Sequence, residues 1–247
     1  MRIVCISDTH GLHKIMENFS PLPKGDILIH AGDCTNVGKQ KEVEEFVYWF
    51  QNIEGFDTKI FIAGNHDFAF EKRNQPHHKG DFHWYDHLMN EENLSQSNVA
   101  YLEDSEFVIE YPEFSRPIKF YGSPWQPEFY NWAFNLPRQG KELEEKWNAI
   151  PDDTDILITH GPPNGCRDHV PTNLQVGCEL LRFRVEQINP LINVFGHIHH
   201  AYGAAYIKDT LFVNASICTE RYTPTNKPIV IDVTEIDGKL IATYVEI

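Results

Sequence analysis

Lys59-Ile60-Phe61-Ile62-Ala63-Gly64-Asn65-His66-Asp67 reads as a short, β-branched buried strand that empties into a loop of polar side chains able to bind metal. The same grammar recurs along the chain. Ile3 to Ile6 runs into Asp8-Thr9-His10, Ile27 to Ile29 into Gly32-Asp33, Ile156 to Ile158 into Thr159-His160-Gly161, and Ile192 to Phe195 into Gly196-His197-Ile198-His199. Between the early strands, Val43, Phe46, Val47 and Phe50 fall at helical spacing within Lys39 to Ile53, and Gly55 follows as a stop signal. Glu142 to Ile150 and Glu179 to Ile188 carry similar amphipathic patterns, the second ending before Pro190. Strands alternating with helices predict an α/β fold, with ligands gathering where strand ends open into loops.

Farther along, Thr210 to Val213, Ile229 to Val233 and Leu240 to Val245 read as strands, with Asp237-Gly238 as a hairpin signal. Residues 71 to 100 and Tyr121 to Pro137 lack clear periodicity and are expected to be long loops packed on the scaffold. The chain has 247 residues and shows neither an internal repeat nor a linker, so one domain over 1–247 is expected.

Charge narrows the function. Lys and Arg number 21 against 36 Asp and Glu, a net charge of −15, so the surface repels polyanions and long nucleic acid is not an expected partner. No apolar run is long enough to span a membrane, and Arg2 to Ile6 is too short for a signal-peptide core, so a cytoplasmic protein without membrane contact is expected. Five cysteines, with no CxxC pair, fit buried reduced thiols better than a disulfide framework or a zinc ribbon.

The donors at the five strand ends are carboxylate, imidazole and amide oxygen, a set suited to a hard or borderline divalent cation such as Mn²⁺, Fe²⁺, Zn²⁺ or Mg²⁺. In an extended segment residues i and i+2 project to one side, so Asp8/His10 and His197/His199 are expected to present their ligands in pairs. Glycines at 32, 64, 161 and 196 are expected to let the turning backbone come close to the ions.

In order and spacing, these fragments resemble the calcineurin-like metallophosphoesterases across the whole chain. Tyr121-Gly122-Ser123-Pro124-Trp125-Gln126-Pro127, Asn135-Leu136-Pro137-Arg138, Thr159-His160-Gly161-Pro162-Pro163, Asn214-Ala215-Ser216 and Pro224-Thr225-Asn226 narrow the likeness. They are similar to peptides of the metallophosphoesterase-domain-containing phosphodiesterases, a group akin to the class III cyclic nucleotide phosphodiesterases. The resemblance implies a four-layer α/β/β/α sandwich with two mixed sheets and a dinuclear centre. Asp8, His10, Asp33 and His199 would hold one divalent ion, and Asp33, Asn65, His160 and His197 the other, with Asp33 bridging. Manganese is the expected metal, and iron, zinc or magnesium suit the same donors. His66 would be the catalytic residue, a general acid at the leaving oxygen.

The implied reaction is hydrolysis of small phosphodiesters, cyclic nucleotides (2′,3′ or 3′,5′) and aryl diesters, by in-line attack of a hydroxide bridging the two metals. A phosphomonoesterase or protein phosphatase is one alternative. It is disfavoured because Asp33 is followed by Cys34-Thr35-Asn36, where protein phosphatases of the superfamily carry an arginine that holds the phosphate dianion. A non-catalytic interaction module on the same fold is the other alternative, disfavoured by the presence of His66.

Other polar residues receive duller readings. Asp67 is left open between orienting His66 and stabilising its loop. His200 is expected to point away from the centre by strand alternation, His13 and His30 to be structural, and His77, His78, His83 and His87 to lie on a solvated loop or helix face. Trp125, Phe129, Tyr130, Trp132 and Phe134 are expected to form a small aromatic core under a loop rather than a stacking surface. Arg138 and Arg167 are expected in surface ion pairs rather than on phosphate.

Overall fold

In the computed structural model, which describes residues 1–72 and 83–246, alternation along the first strand already sets the layers. Ile3 and Cys5 pack into one apolar cluster while Val4 and Ile6 pack into another, so the strand is buried on both faces. The strands, in chain order, are β1 (Arg2–Ile6), β2 (Ile27–Ala31), β3 (Thr58–Ile62), β4 (Val99–Tyr101), β5 (Ser105–Ile109), β6 (Ile118–Ser123), β7 (Gln126–Pro127), β8 (Asn135–Leu136), β9 (Ile156–Thr159), β10 (Ile192–Phe195), β11 (Gly203–Ile207), β12 (Thr210–Asn214), β13 (Ile229–Ile236) and β14 (Lys239–Val245). The described α-helices are α1 (His13–Phe19), α2 (Gln40–Asn52), α3 (Phe68–Lys72), α4 (His83–Leu88), α5 (Glu91–Ser95), α6 (Lys141–Asn148) and α7 (Glu179–Ile188).

One sheet runs β14-β13-β1-β2-β3-β4 and the other β11-β12-β10-β9-β6-β5. Each has a run of four parallel strands, to which the first sheet adds the antiparallel hairpin β13-β14 beside β1 and the second an antiparallel strand at each edge, so both are mixed. Ile3, Ile29 and Ile60 of the first sheet meet Ile156, Val194 and Val213 of the second in the central layer. Outside the first sheet, Val43, Phe46, Val47 and Phe50 of α2 cover Leu28 and Phe61. Outside the second, Leu143 and Trp147 of α6 and Leu181 and Val185 of α7 cover Leu157 and Phe212. The result is the expected α/β/β/α sandwich. Truncating one of these buried rings, Phe46 for example, would cost about 3–5 kcal/mol, because the rigid layers collapse only partly into the space left.

Parallel strands β1, β2 and β3 end at the same rim as β9 and β10. Backbone bonds continue past the strand ends and lock the loops together: Asp8 N–H donates to Gly32 O at 2.9 Å, His10 N–H to Asp33 O at 3.0 Å, and Gly196 N–H to His160 O at 2.9 Å. Ile217 N–H donates to Ser7 O at 2.8 Å, beside a bridge between Ser7 and Ser216 that stitches one sheet to the other.

Several expectations need correction. The described part of residues 71 to 100 is not a long loop: α4 and α5 bury Tyr85 and Leu94, and β4 begins at Val99. Tyr121 to Pro137 contains the end of β6 and the small parallel pair β7 and β8. The Asp237-Gly238 hairpin is present, with both residues at positive φ (52° and 75°) and Ile236 paired with Lys239. His77 and His78 lie outside the described residues, whereas His83 and His87 are exposed on α4.

Candidate metal centre

Asp8, His10 and His199 bring ligand atoms to one point, and Asp33, His160 and His197 to a second. Asp33 stands between the two groups. Its Oδ2 is 3.8 Å from His10 Nε2 and its Oδ1 is 3.4 Å from His160 Nε2, so one carboxylate faces both. Asn65 Oδ1 joins the second group, 2.9 Å from His160 Nε2. His66 packs edge-on to His10 with ring centroids 4.5 Å apart. All eight residues expected from the strand ends therefore meet in one buried region, each carried by the loop after a parallel strand.

The local geometry that produces this differs from the extended i, i+2 pairing. Asp8, His10 and His197 have φ of 53°, 45° and 66°, in the left-handed region, and His199 begins a short 3₁₀ turn, His199–Ala201. Tight turns rather than pleats aim the ligands, and the strain of such residues, about 1–3 kcal/mol each, persists only where surrounding bonds over-determine it. Those bonds are visible: Asp8 accepts from His197 N–H at 3.0 Å and from Ser216 Oγ–H at 2.9 Å. His200 joins neither group: it lies in the 3₁₀ turn with its Nδ1 3.3 Å from Glu220, and both residues border the cleft.

Close approach explains three of the glycines: a Cβ on Gly32 would lie 2.6 Å from His160 Nδ1. A Cβ on Gly196 would lie 1.9 Å from Asp8 Oδ2, and one on Gly64 would lie 2.4 Å from Asp33 Oδ1. Gly161 is different, since the nearest atom to a Cβ there, on Gln126, would be 3.7 Å away, an ordinary contact.

Donor chemistry fits a divalent cation at each group. His160 Nδ1–H donates to Ala31 O at 3.0 Å and His199 Nδ1–H to Thr219 O at 3.0 Å; a carbonyl only accepts, so in each neutral ring the Nε2 lone pair points into the cluster. There it meets further acceptors: Asn65 Oδ1 in one case, Asp8 Oδ1 at 3.2 Å in the other. Lone pairs aimed at one another need a positive charge between them. In the metal-free fold a proton supplies it. Burial alone would depress His160, but the charge and hydrogen bond of Asp33 and the charge of Asp8 outweigh it and lift the ring to about 9. His199 is raised likewise, its burial overcome by Asp8. Burial would raise Asp33 and Asp8, yet His160 and His199 respectively hold them well below the usual carboxylate range. His10, at about 4, and His197, at about 3, are kept neutral by burial, as free ligands should be.

Asp67 is settled as a loop-stabilising carboxylate. It accepts Thr35 N–H at 2.9 Å, Thr35 Oγ1–H at 2.6 Å and Gly64 N–H at 2.8 Å, while His66 Nδ1 is bound by Asn36 O at 2.7 Å. The aromatic segment divides: Phe134 is fully buried, Trp125 donates to Asp104 at 2.9 Å, but Trp132 stacks on His66 and Phe129 borders the cleft. His13 stacks on Trp49 and His30 Nε2 lies 2.9 Å from Thr9 Oγ1, both structural places. Arg167 donates to Tyr202 O at 2.9 Å rather than joining a surface ion pair. Tyr222, 4.8 Å from His10 and 5.4 Å from His199 between ring centroids, had no signal in the sequence because it arrives from a distant loop.

A cleft of about 410 Å³ opens over Asp33, Asn65, His66, His197 and His199. Arg138 is the one Lys or Arg side chain among its described lining residues. Its guanidinium is already committed, donating to Val176 O at 2.6 Å, Gly177 O at 2.8 Å and Glu179 at 2.9 Å.

A model of the calcineurin-like phosphoesterase family matches residues 1–201. The chain belongs to that family. Among its relatives, this calcineurin-like phosphoesterase is 46% identical over 241 residues to the human metallophosphoesterase domain-containing protein 1, covering 94% of this chain and 70% of that protein. It is 29% identical over 239 residues to a probable glycerophosphodiester phosphodiesterase GpdQ of Arcobacter nitrofigilis, covering 87% and 78%. Among solved structures, GAP50, the anchor in the inner membrane complex of Plasmodium, superposes with a TM-score of 0.55 at 8% identity, over 99% of this chain and 84% of that one. At that identity the likeness is one of fold alone.

Proposed function

We propose that this calcineurin-like phosphoesterase is a two-metal phosphodiesterase acting on small diesters, with cyclic nucleotides (2′,3′ or 3′,5′) and aryl diesters as its substrate class. The observation that carries the reading is the shared carboxylate: Asp33 faces His10 with one oxygen and His160 with the other. Asp8, His10, Asp33 and His199 would hold one cation and Asp33, Asn65, His160 and His197 the other, manganese being the metal proposed. Bound there, two such ions neutralise phosphoryl charge and activate water. The residues of the chain do the rest. Ser216 and the His197 amide hold Asp8 ionised in place, and the Ala31 and Thr219 carbonyls hold His160 and His199 in the tautomer that offers Nε2. His66, with its Nδ1 hydrogen on the Asn36 carbonyl, would act from the doubly protonated ring, giving the Nε2 hydrogen to the leaving oxygen as general acid and keeping the one on Nδ1.

Diester over monoester is favoured by the cleft's charge. A monoester dianion needs a further cation beside the metals, and Arg138 is occupied by two carbonyls and Glu179, while Glu128 and Glu220 add negative charge to the lining. Pro127, Phe129, Pro162, Val170 and Val176 offer apolar walls to the two ester substituents. The likeness to a protein named as a glycerophosphodiester phosphodiesterase supports the same preference. A cytoplasmic setting belongs to this proposal, supported by five buried, unpaired cysteines, as does action as one domain over 1–247. The test is hydrolysis of bis(p-nitrophenyl) phosphate and of p-nitrophenyl phosphate with Mn²⁺, each repeated with a chelator. Metal-dependent turnover favouring the diester is expected, and faster turnover of the monoester, or none of either, would remove the reading.

A further inference from the structure

An imidazole on its Cβ is not self-orienting, because the torsion joining the ring to its side chain is broad and roughly two-fold. If His66 is to deliver a proton to one oxygen, something must fix both the plane of the ring and its flip. The Asn36 carbonyl, 2.7 Å from Nδ1, fixes the flip: it can only accept, so Nδ1 carries the hydrogen and Nε2 faces away from it. The plane is fixed by Trp132, whose ring lies against His66 with centroids 4.0 Å apart and planes 25° from parallel. His10 closes the third side, edge-on at 4.5 Å.

Trp132 is itself held against movement. Residues on both sides of it, Tyr130 and Phe134, sit at positive φ of 50° and 55°, conformations that persist only under tight constraint. Those constraints are Ala133 N–H donating to Asn65 O at 3.0 Å, Phe134 N–H donating to Glu71 at 3.0 Å, and Asn135 Nδ2–H donating to Tyr130 O at 2.9 Å. The Phe134 side chain is fully buried beneath. A loop strained in this way to deliver one indole face to one histidine is more than filler. From the other side, Asp67 holds Thr35 by its amide and hydroxyl and so sets the Asn36 carbonyl, reaching His66 at one remove.

We infer that Trp132 is a positioning residue for His66, holding the imidazole plane so that Nε2 is aimed at the leaving oxygen. This rests on the general-acid role proposed above for His66. A positioning defect has a signature that a packing defect lacks: loss of a general acid matters little for an acidic leaving group and more as the leaving group becomes basic. The experiment uses the Mn²⁺-loaded enzyme and a series of diesters running from p-nitrophenyl to unsubstituted phenyl leaving groups. Trp132→Leu is expected to lose less than about 3-fold in kcat on the p-nitrophenyl ester and about 10-fold or more on the phenyl ester, with unchanged metal content. Trp132→Phe, which keeps an aromatic face, should stay within about 3-fold of the parent throughout and serves if the leucine variant folds poorly. His66→Ala should show the same trend, more steeply.

Equal loss across the series in Trp132→Leu, or no loss, would overturn the inference while a steep His66→Ala trend left the general-acid reading standing. A flat His66→Ala response would instead overturn that reading and the inference with it. An independent check needs no turnover. Long-range proton–nitrogen spectra of the metal-free protein should show His66 with hydrogen on Nδ1, and Trp132→Leu should blur this into a mixture of tautomers, because a ring free to leave its plane swings off the Asn36 carbonyl that fixes the tautomer. Hydrogen on Nε2 alone in the parent, or an unblurred spectrum in the variant, would contradict it.

Discussion

His10 and His199 face each other Nε2 to Nε2 at 3.2 Å, closer than two like-ended rings rest without a charge between them. His199 already spends its Nδ1 hydrogen on Thr219 O, so its inward nitrogen is a lone pair. His10 has no partner for its buried Nδ1 among the described residues, which leaves its own orientation to whatever lies between the two rings. The pair belongs with Asp8, whereas Asn65 sits with His160 in the other group, and loss of a ring of the pair should be felt at the Asp8 group first.

His199→Ala is accordingly expected to weaken one ion and spare the other. Elemental analysis after dialysis against low Mn²⁺ should fall from about two equivalents to about one. Equal loss of both ions would contradict the division of ligands.

Asp33→Asn should behave differently. Both nitrogen clusters lean on this one carboxylate, through Oδ2 at 3.8 Å and Oδ1 at 3.4 Å, and an amide offers one oxygen where two are used. Metal content should drop for both ions, with diesterase activity reduced by about 10³-fold or more. Retained activity would remove the bridging assignment.

Stability of the metal-free protein should depend on pH in a way set by the histidines. His160 lies at about 9 in the fold, burial being outweighed by Asp33 and Asp8, against about 6.5 unfolded. A raised value contributes stability that is whole below about pH 6.5 and is lost as pH rises through about 9. His10 at about 4 and His197 and His30 at about 3, all depressed by burial, act in the opposite sense. Their contribution is whole above about pH 6.5 and falls away as pH drops toward those values. Thermal melts with a chelator should therefore peak near pH 6.5. Adding Mn²⁺ should flatten the alkaline side, because the cation takes the place of the proton on His160. A metal-free melting temperature that climbs steadily from pH 6.5 to 9 would contradict this.

Two glycine substitutions separate close approach from mere punctuation. In Gly196→Ala the new methyl would meet Asp8 Oδ2 at 1.9 Å and Ser7 Oγ at 2.2 Å, whereas in Gly161→Ala nothing lies nearer than 3.7 Å. The first should cost about 1–3 kcal/mol by denaturant titration and impair metal binding, the second less than about 1 kcal/mol. Similar costs for both would contradict the geometry at the rim.

How legible all this was depended on what each residue had to do. Strands β1, β2, β3, β9 and β10 are buried on both faces, so their short β-branched runs stand out, and the polar loops after them stand out by contrast. Edge strands do not announce themselves. In β5 the residues alternate between half-buried and exposed without strong hydrophobicity, and β11 begins Gly203-Ala204-Ala205 with hardly any side chain to read. Helices α4 and α5 span 6 and 5 residues, too short for a period, and exist because Tyr85 and Leu94 find places to bury. At the site, the residues that meet were visible as types at strand ends, but the manner of their meeting was not. Left-handed Asp8 and His10 are set by tertiary bonds with Ser216, Gly32 and Asp33, and His197 by its amide bond to the Asp8 carboxylate, none of which a local pattern encodes. Trp132 was hidden for a similar reason, since among neighbouring aromatics only the fold decides which ring covers His66 and which enters the core.

The central claim is that loops from distant parts of the chain make one centre around a shared Asp33. Anomalous diffraction from crystals grown with Mn²⁺ tests it most directly. Two peaks roughly 3.5–4 Å apart, each with one Asp33 oxygen as a ligand, are the expected result. A single peak, or two with Asp33 touching only one, would contradict it.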